Sequence, residues 1–308
     1  MQNVNEFSPK VTEDGSFTFF SPEFGEKFHS RFGAKIESEI TFVESCQLGQ
    51  KAESQNSLKV LDICYGLGYN TAAALNKIWQ VNPNCFVELV GLELNPVVPQ
   101  EAIAFNLLNV WEEPIPKLLG ELAKTYSVKT PQLNANLLIG DARKSIQSLS
   151  ENQFKADAVF LDPFSPPKCP QLWTVEFLGR VAQCMTPNAR LATYSCSAAV
   201  RSALGLVGLK FGSIPNVGKR SPGTVASFNE SDLKPLSQAE KEHLNTRAAI
   251  PYRDPRLSDS AKEIIERRQA EQQTSELEPT THWKKRFFGS EERSSGRDVA
   301  CNVSTQYL

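Results

Sequence analysis

The sequence predicts an α/β fold: a mostly parallel seven-stranded sheet, covered by helices on both faces and closed by a C-terminal antiparallel hairpin. Three observations predict it. Apolar runs of strand length recur at 58–66, 87–94, 135–141, 156–164 and 190–196, and near-continuous apolarity marks strands buried on both faces, as in parallel sheets. Helix-compatible segments fall around them at 70–80, 97–108, 172–185 and 198–206, with Gly or Pro breaks near their ends. The last two runs, 211–217 and 224–228, are separated only by residues 218–223, too few for a crossover helix, so they pair antiparallel at the sheet edge.

A chain of 308 residues with 40% hydrophobic content buries a core for one full α/β domain with peripheral segments. That domain is expected at 58–229. Residues 1–57 precede it as a cap segment, with a short strand at 18–21 and a helix through 29–41, suited to covering a cleft. Residues 230–308 follow as a polar extension with a charged helix at 259–273 and an aromatic-basic cluster at 282–288; its end, 289–308, reads as disordered. The chain has no apolar run of ~18 residues and no export signal at its N-terminus, which predicts a soluble, cytoplasmic protein without a membrane partner. Seven cysteines (Cys46, Cys64, Cys85, Cys169, Cys184, Cys196, Cys301) lack any CxxC spacing and read as reduced thiols, with no metal site.

A net charge of −2 gives no global attraction to a polyanion, so nucleic-acid binding would require segregated charge. Segregation is present. From 163 to 229 the only acid is Glu176, against Lys168, Arg180, Arg190, Arg201, Lys210, Lys219 and Arg220. Such a stretch is either a solvated face or a phosphate-binding one.

Asp62-Ile63-Cys64-Tyr65-Gly66-Leu67-Gly68-Tyr69-Asn70-Thr71 runs from an apolar strand through a glycine turn into a helix start. Glycines there let the backbone approach a ligand, and the free amides of a helix N-terminus suit a polar or anionic group. Thr71 stands where the dinucleotide fingerprint wants a third glycine, so NAD fits poorly. Two further acids end predicted strands, on the edge where open α/β sheets bind ligands. Glu93 stands where a carboxylate accepts ribose hydroxyls. Asp141 stands where one accepts an adenine amino group, with the Ala142 amide beside it. Together Asp62, Gly66, Gly68, Asn70, Glu93, Asp141 and Ala142 form a candidate adenosyl site; each acid alone also reads as a helix cap.

The fourth strand ends in Asp162-Pro163-Phe164-Ser165-Pro166-Pro167-Lys168, followed by Pro170 and by Leu172-Trp173-Thr174. The prolines stiffen this loop. An alkyl amine is mostly protonated at neutral pH, so its methylation requires proton loss and an aligned lone pair. Asp162 suits that task, Phe164 offers a face for a planar substrate, and Lys168 and Arg220 offer charge for its phosphates. With only His29, His243 and His282 in the chain, no Cys–His nucleophile can be assigned, and His29 either faces the cleft or packs beneath it.

Five parallel strands closed by a hairpin resemble the Rossmann-like plan of class I S-adenosylmethionine-dependent methyltransferases, and Asp162-Pro163-Phe164 resembles the Asp/Asn-Pro-Pro-aromatic motif of amino-methyltransferases. More specifically, the Asp162–Pro166 motif with Leu172-Trp173-Thr174, together with Asp14-Gly15-Ser16 and the segment from Phe20 to Ser30, resembles the MnmC-like methyltransferase family over about residues 14–228. The resemblance implies S-adenosyl-L-methionine as cofactor, Asp162 as catalytic aspartate, and methylation of an aminomethyl group on a modified wobble uridine of tRNA. Bifunctional members carry an FAD-dependent oxidase that prepares the amine. This chain has no room for it, so the resemblance implies an amine supplied by upstream wobble-uridine modification enzymes. The tail with Arg253, Arg256, Arg267, Arg268 and residues 283–286 is expected to help hold tRNA. Two other readings stay open: a polyamine synthase-like aminopropyltransferase, disfavoured because no second acid follows Asp162, and a non-catalytic adenosyl-binding module.

Overall fold

The computed structural model describes residues 7–215, 222–230 and 232–288. An eight-stranded sheet runs, in spatial order, Lys210–Ile214, Gly223–Ser227, Met185–Thr193, Ala156–Leu161, Ser57–Ile63, Phe86–Glu93, Leu133–Ile139 and Ser127–Lys129. The five strands from Met185–Thr193 to Leu133–Ile139 are mutually parallel. The predicted hairpin is present: Gly223–Ser227 lies antiparallel to both Met185–Thr193 and Lys210–Ile214. The strand beyond the predicted seven is the antiparallel edge strand Ser127–Lys129. Only Val128 of its three residues is buried, too short a pattern for hydrophobic alternation to register.

Helices Tyr69–Val81, Val97–Ala104 and Ile115–Thr125 cover one face. Ala142–Glu151, Val175–Gln183 and Ala198–Leu206 cover the other. Sequence patterning missed two of these. Ile115–Thr125 opens between Pro114 and Pro116 and so reads as a loop, and Ala142–Glu151 buries only Ala142 and Ile146 of a largely polar sequence. The predicted helix at 97–108 stops at Ala104 because Asn106 takes a positive φ of 56°, and the chain re-forms a short 3-10 turn at Leu107–Val110. The predicted 172–185 helix is likewise divided. Thr174 leaves helical geometry after the 3-10 turn Pro170–Trp173, and its hydroxyl accepts from the Phe177 amide at 3.2 Å to cap the next helix.

In the N-terminal segment the helix expected from residue 29 begins only at Ala34 and runs on as a π-helical stretch, Ser38–Glu44. Gly33 is the reason. Any Cβ there would lie 2.2 Å from the Asp14 carboxylate, which instead accepts from the Ile36 amide at 3.0 Å while Ser16 accepts from Ala34. The Asp14-Gly15-Ser16 motif is thus a helix cap. The strand expected at 18–21 is divided: Phe17–Thr18 pairs with Lys10–Val11, and Phe20–Ser21 with Glu26–Lys27.

In the C-terminal extension Ser260 and Glu263 form a capping box at the start of Ala261–Thr274. A last described helix, Thr280–Phe288, buries Trp283 flat against His243 at 3.9 Å between ring centroids. The end predicted as disordered, 289–308, lies outside the described residues, as does Cys301; the other six cysteines are free thiols. Among the described residues no helix is long and apolar enough to cross a membrane.

Arg201, one of the bases in the 163–229 stretch, is almost fully buried. It pairs with Glu240 at 2.8 Å and donates to Thr224 Oγ1 and the Gly223 carbonyl, which joins the extension to the sheet edge. Burial works against the Glu240 charge, but the Ser213 hydroxyl, Arg201 and Ser237 outweigh it and hold its pKa down at about 2. Breaking such a pair from one side costs about 3–5 kcal/mol, since the other charge stays buried. Glu240→Gln is therefore expected to lower the unfolding free energy by about that amount at pH 7 in urea denaturation. Because a depressed carboxylate stabilises above its ordinary value of 4.5 and loses this as pH falls toward about 2, the gap between wild type and variant narrows over that window.

Candidate active site

The parallel register brings the carboxyl ends of four neighbouring strands to one edge. Asp62 lies opposite Phe160 on one side and Gly91 on the other, and Glu93 lies opposite Ile139. Asp162 follows its strand directly, and Asp141 follows its own after Gly140. Asp62 is wholly buried, with Oδ2 accepting from Thr71 Oγ1 at 2.7 Å and Oδ1 buried without a partner. Burial, reinforced by the Glu93 charge and opposed by the Thr71 bond, pushes its pKa up to about 7. Glu93 is also buried, and burial raises its pKa even though its oxygens accept from the Asn95 and Gly66 amides, each at 2.8 Å. Glu93 thereby holds the glycine turn.

The turn alternates left-handed residues: Cys64 at φ 66°, Gly66 at 55° and Gly68 at 83°. Cys64, though not a glycine, adopts a glycine-like conformation, a strained state for a side chain. At Gly68 a Cβ would lie 2.7 Å from the Tyr65 hydroxyl, so only glycine starts the helix there. Two residues on, Asn70 Nδ2 donates to Asp162 Oδ2 at 2.9 Å, while Asn70 Oδ1 is buried with no partner.

Asp141 caps the helix Ala142–Glu151, and both its oxygens also bond the Arg143 guanidinium. Beside it, Leu94, Val97 and Ile139 are exposed apolar residues at the same sheet edge. An adenosyl cofactor of the kind implied by the sequence resemblance fits this donor set. Orphaned acceptors on Asp62 and Asn70 and a concentration of carboxyls suit a ligand carrying cationic charge and N–H groups, and the exposed apolar rim suits a flat ring.

The loop after Ala156–Leu161 is fixed at each residue. The Asp162 amide donates to the Ile63 carbonyl at 3.1 Å, Tyr194 Oη donates to the Pro163 carbonyl at 2.8 Å, and Trp173 Nε1 donates to the Phe164 carbonyl at 2.9 Å. Ser165 donates through both Oγ (2.5 Å) and its amide (3.1 Å) to the buried carboxylate of Glu26, in the N-terminal strand Glu26–Lys27. Sequence reasoning missed Glu26 and Tyr194. Neither carries a local motif, because each acts across more than 30 residues of chain.

Phe164 stacks on Phe24 with centroids 4.3 Å apart and meets the edge of Phe28 at 5.2 Å. One face of the ring assigned to a planar substrate is therefore occupied by Phe24, and the half-exposed Phe24–Phe164 pair is the available aromatic surface. Lys168 is exposed at the tip of this region, near Gly25. Arg220 and Lys219 lie outside the described residues. His29 packs edge-on to Tyr69 at 5.2 Å. Burial pushes the Cys169 thiol up to about 12, which leaves it without thiolate character at neutral pH. Among the described residues no group of three or more His, Cys, Asp or Glu side chains is placed to hold a metal ion.

The tail arginines expected to face tRNA are engaged within the protein. Arg253 pairs with Glu176, Arg256 and Arg267 with Asp259, and Arg286 with Glu242 and Glu278; Arg268 lies over the Tyr252 ring and caps two carbonyls. These cations are paired within the protein although Arg253, Arg256 and Arg286 stay at its surface, and Trp283 is buried rather than free to stack a base.

A protein-family signature described as S-adenosyl-L-methionine-dependent methyltransferase matches residues 106–229. The crystal structure of MNMC2 from Aquifex aeolicus is similar with a TM-score of 0.77 and 32% identity, covering 89% of this chain and 87% of that one. The tRNA 5-methylaminomethyl-2-thiouridine biosynthesis bifunctional protein MnmC of an Acidovorax species is 30% identical over 70% of this chain and 34% of its own length. An uncharacterized protein of Methanocaldococcus jannaschii is 29% identical over 84% of this chain and 70% of its own. The chain spans about a third of the length of the curated MnmC relatives it matches.

Proposed function

The chain is an S-adenosyl-L-methionine-dependent methyltransferase belonging to the MnmC-like family, and from that premise we propose that it methylates the aminomethyl nitrogen of a modified wobble uridine in tRNA. The observation that carries this reading is the Asp162 carboxylate, held by Asn70 at the end of its strand beside the glycine turn, in a loop bonded at four consecutive residues. The Acidovorax relative's name, with its 5-methylaminomethyl-2-thiouridine product, supports the acceptor.

The bound cofactor supplies an electrophilic methyl group on a sulfonium. Glu93 accepts the ribose hydroxyls with the acceptor capacity its two amide bonds leave. Asp141 would accept from the adenine amino group, with the Ala142 amide nearby, and the exposed Leu94 and Ile139 would offer the ring an apolar surface. Asp62, through Thr71, and Asn70 hold the turn against the amino-acid end. Asp162 accepts a hydrogen bond from the incoming amine, takes its proton and aims its lone pair, while Asn70 fixes the carboxylate's orientation. The Phe24–Phe164 pair offers the wobble base a stacking surface, and Lys168 meets its phosphates. The amine comes from a separate upstream modification step, and the reaction belongs to the cytoplasm.

Incubation with radiolabelled cofactor and tRNA from cells lacking this gene, followed by nucleoside analysis, is expected to place label in a wobble-uridine side chain. Asp162→Ala lowers the rate by about 10²-fold or more, with cofactor affinity retained. Cofactor binding without label in tRNA would rule out this acceptor.

Ser165→Ala and Glu26→Gln each loosen the loop that carries Asp162. Both are expected to lower kcat by about ten- to a hundredfold while leaving the calorimetric Kd for the cofactor within about twofold, and the double variant to lose little more than either single one. Independent, additive losses would show that the two residues do not act through one bond.

A further inference from the structure

The Asp141 carboxylate receives three N–H groups from Arg143: the backbone amide on Oδ1 at 2.9 Å, Nη2 on Oδ2 at 2.8 Å, and Nε shared between Oδ2 at 3.1 Å and Oδ1 at 3.2 Å. A carboxylate has about four acceptor positions, so roughly one remains, on a side chain still 33% exposed. The other end of Arg143 reaches into the C-terminal extension. Its Nη1 donates to Asp254 Oδ2 at 3.0 Å and to the Asp259 carbonyl at 2.9 Å.

Asp254 is completely buried, and its second oxygen accepts from the Ser258 and Asp259 amides, both at 3.1 Å. A carboxylate so placed must keep its cation, because losing it leaves an uncompensated buried charge. The surrounding segment is itself anchored. The Asp254 amide donates to Glu176 Oε2 at 2.7 Å, and the Tyr252 carbonyl accepts from Val175, both in the first turn of the helix that follows Trp173 and Thr174. Asp254 thus holds Arg143, and Arg143 holds Asp141.

We propose that Asp254 and Arg143 are positioning residues for the purine end of the cofactor site: they clamp Asp141 so that its one remaining acceptor position meets a single exocyclic N–H. The clamp selects a 6-aminopurine, which donates there, over a 6-oxopurine, whose oxygen repels the carboxylate. The C-terminal extension thereby sets cofactor specificity. This inference rests on the assignment of Asp141 to adenine.

The test is calorimetric binding of S-adenosylhomocysteine and S-inosylhomocysteine, which differ at the purine 6-position. Wild type is expected to prefer the adenosyl ligand by at least about tenfold. Asp254→Asn, which keeps the shape but turns an amide toward Arg143, is expected to weaken S-adenosylhomocysteine by about tenfold and to shrink that preference. Arg143→Lys, which keeps the charge without the fork, gives the same pattern and serves if Asp254→Asn does not fold. Lys262→Ala, which loses only the exposed pair with Glu266, changes neither affinity nor preference. An unaltered preference in folded Asp254→Asn and Arg143→Lys overturns the proposal. A preference that survives even in Asp141→Ala overturns instead the assignment of Asp141 to adenine on which it rests.

Discussion

Carboxylates converging on one edge of the sheet, two of them buried, are the constraint around which this protein is built. Parallel pairing forces the carboxyl ends of neighbouring strands onto one edge, and here Asp62, Glu93, Asp162 and Asp141 all stand at that edge. The fold keeps them there by giving each a different set of donors. Thr71 bonds Asp62, backbone amides of the glycine turn and of Asn95 bond Glu93, Asn70 bonds Asp162, and Arg143 bonds Asp141. The compensation for Asp62 and Glu93 is incomplete, and burial leaves both with raised pKa values. A cation bound beside them would complete it, and S-adenosyl-L-methionine carries one on its sulfonium.

The peripheral segments serve that edge. The N-terminal segment contributes Glu26 to the loop carrying Asp162, and Phe24 and Phe28 to the aromatic group around Phe164. The C-terminal extension contributes Asp254, which restrains Arg143 and so Asp141. Both are long-range contacts between polar groups withdrawn from water, where a missing partner is more costly than in the solvent. The loop carrying Asp162 owes its shape to Glu26 as much as to its own prolines, and Asp141 owes its position to Arg143 and Asp254.

Most of the fold was legible because burial on both faces writes itself into composition: the five apolar runs became the five parallel strands, and the glycine turn, Glu93, Asp141 and Asp162 stand at the ends where their order implied. The less legible parts depend on partners distant in sequence. Nothing in Phe24-Gly25-Glu26 announces that its carboxylate will bond Ser165. In the basic tail, composition records charge but not pairing, so the ion pairs with Glu176, Asp259, Glu242 and Glu278 were not legible. Phe164 was assigned an open face that Phe24 covers, a contact between two loops that neither periodicity nor spacing encodes. The edge strand Ser127–Lys129 and the helices opened by Pro114 and by Asp141 were too short or too polar for pattern to find.

The most direct test of a buried acid cluster made for a cation is the proton balance of cofactor binding, measured calorimetrically in buffers of differing ionisation enthalpy. Asp62, with its pKa pushed up to about 7, is largely protonated at pH 6 in the free protein. A cation bound beside the cluster favours its carboxylate, so S-adenosyl-L-methionine binding should expel a proton at pH 6, expel almost none above about pH 8.5 where Asp62 is already ionised, and lose the pH 6 release in Asp62→Asn. Binding at pH 6 with no proton released, or a release unchanged in Asp62→Asn, would contradict the account.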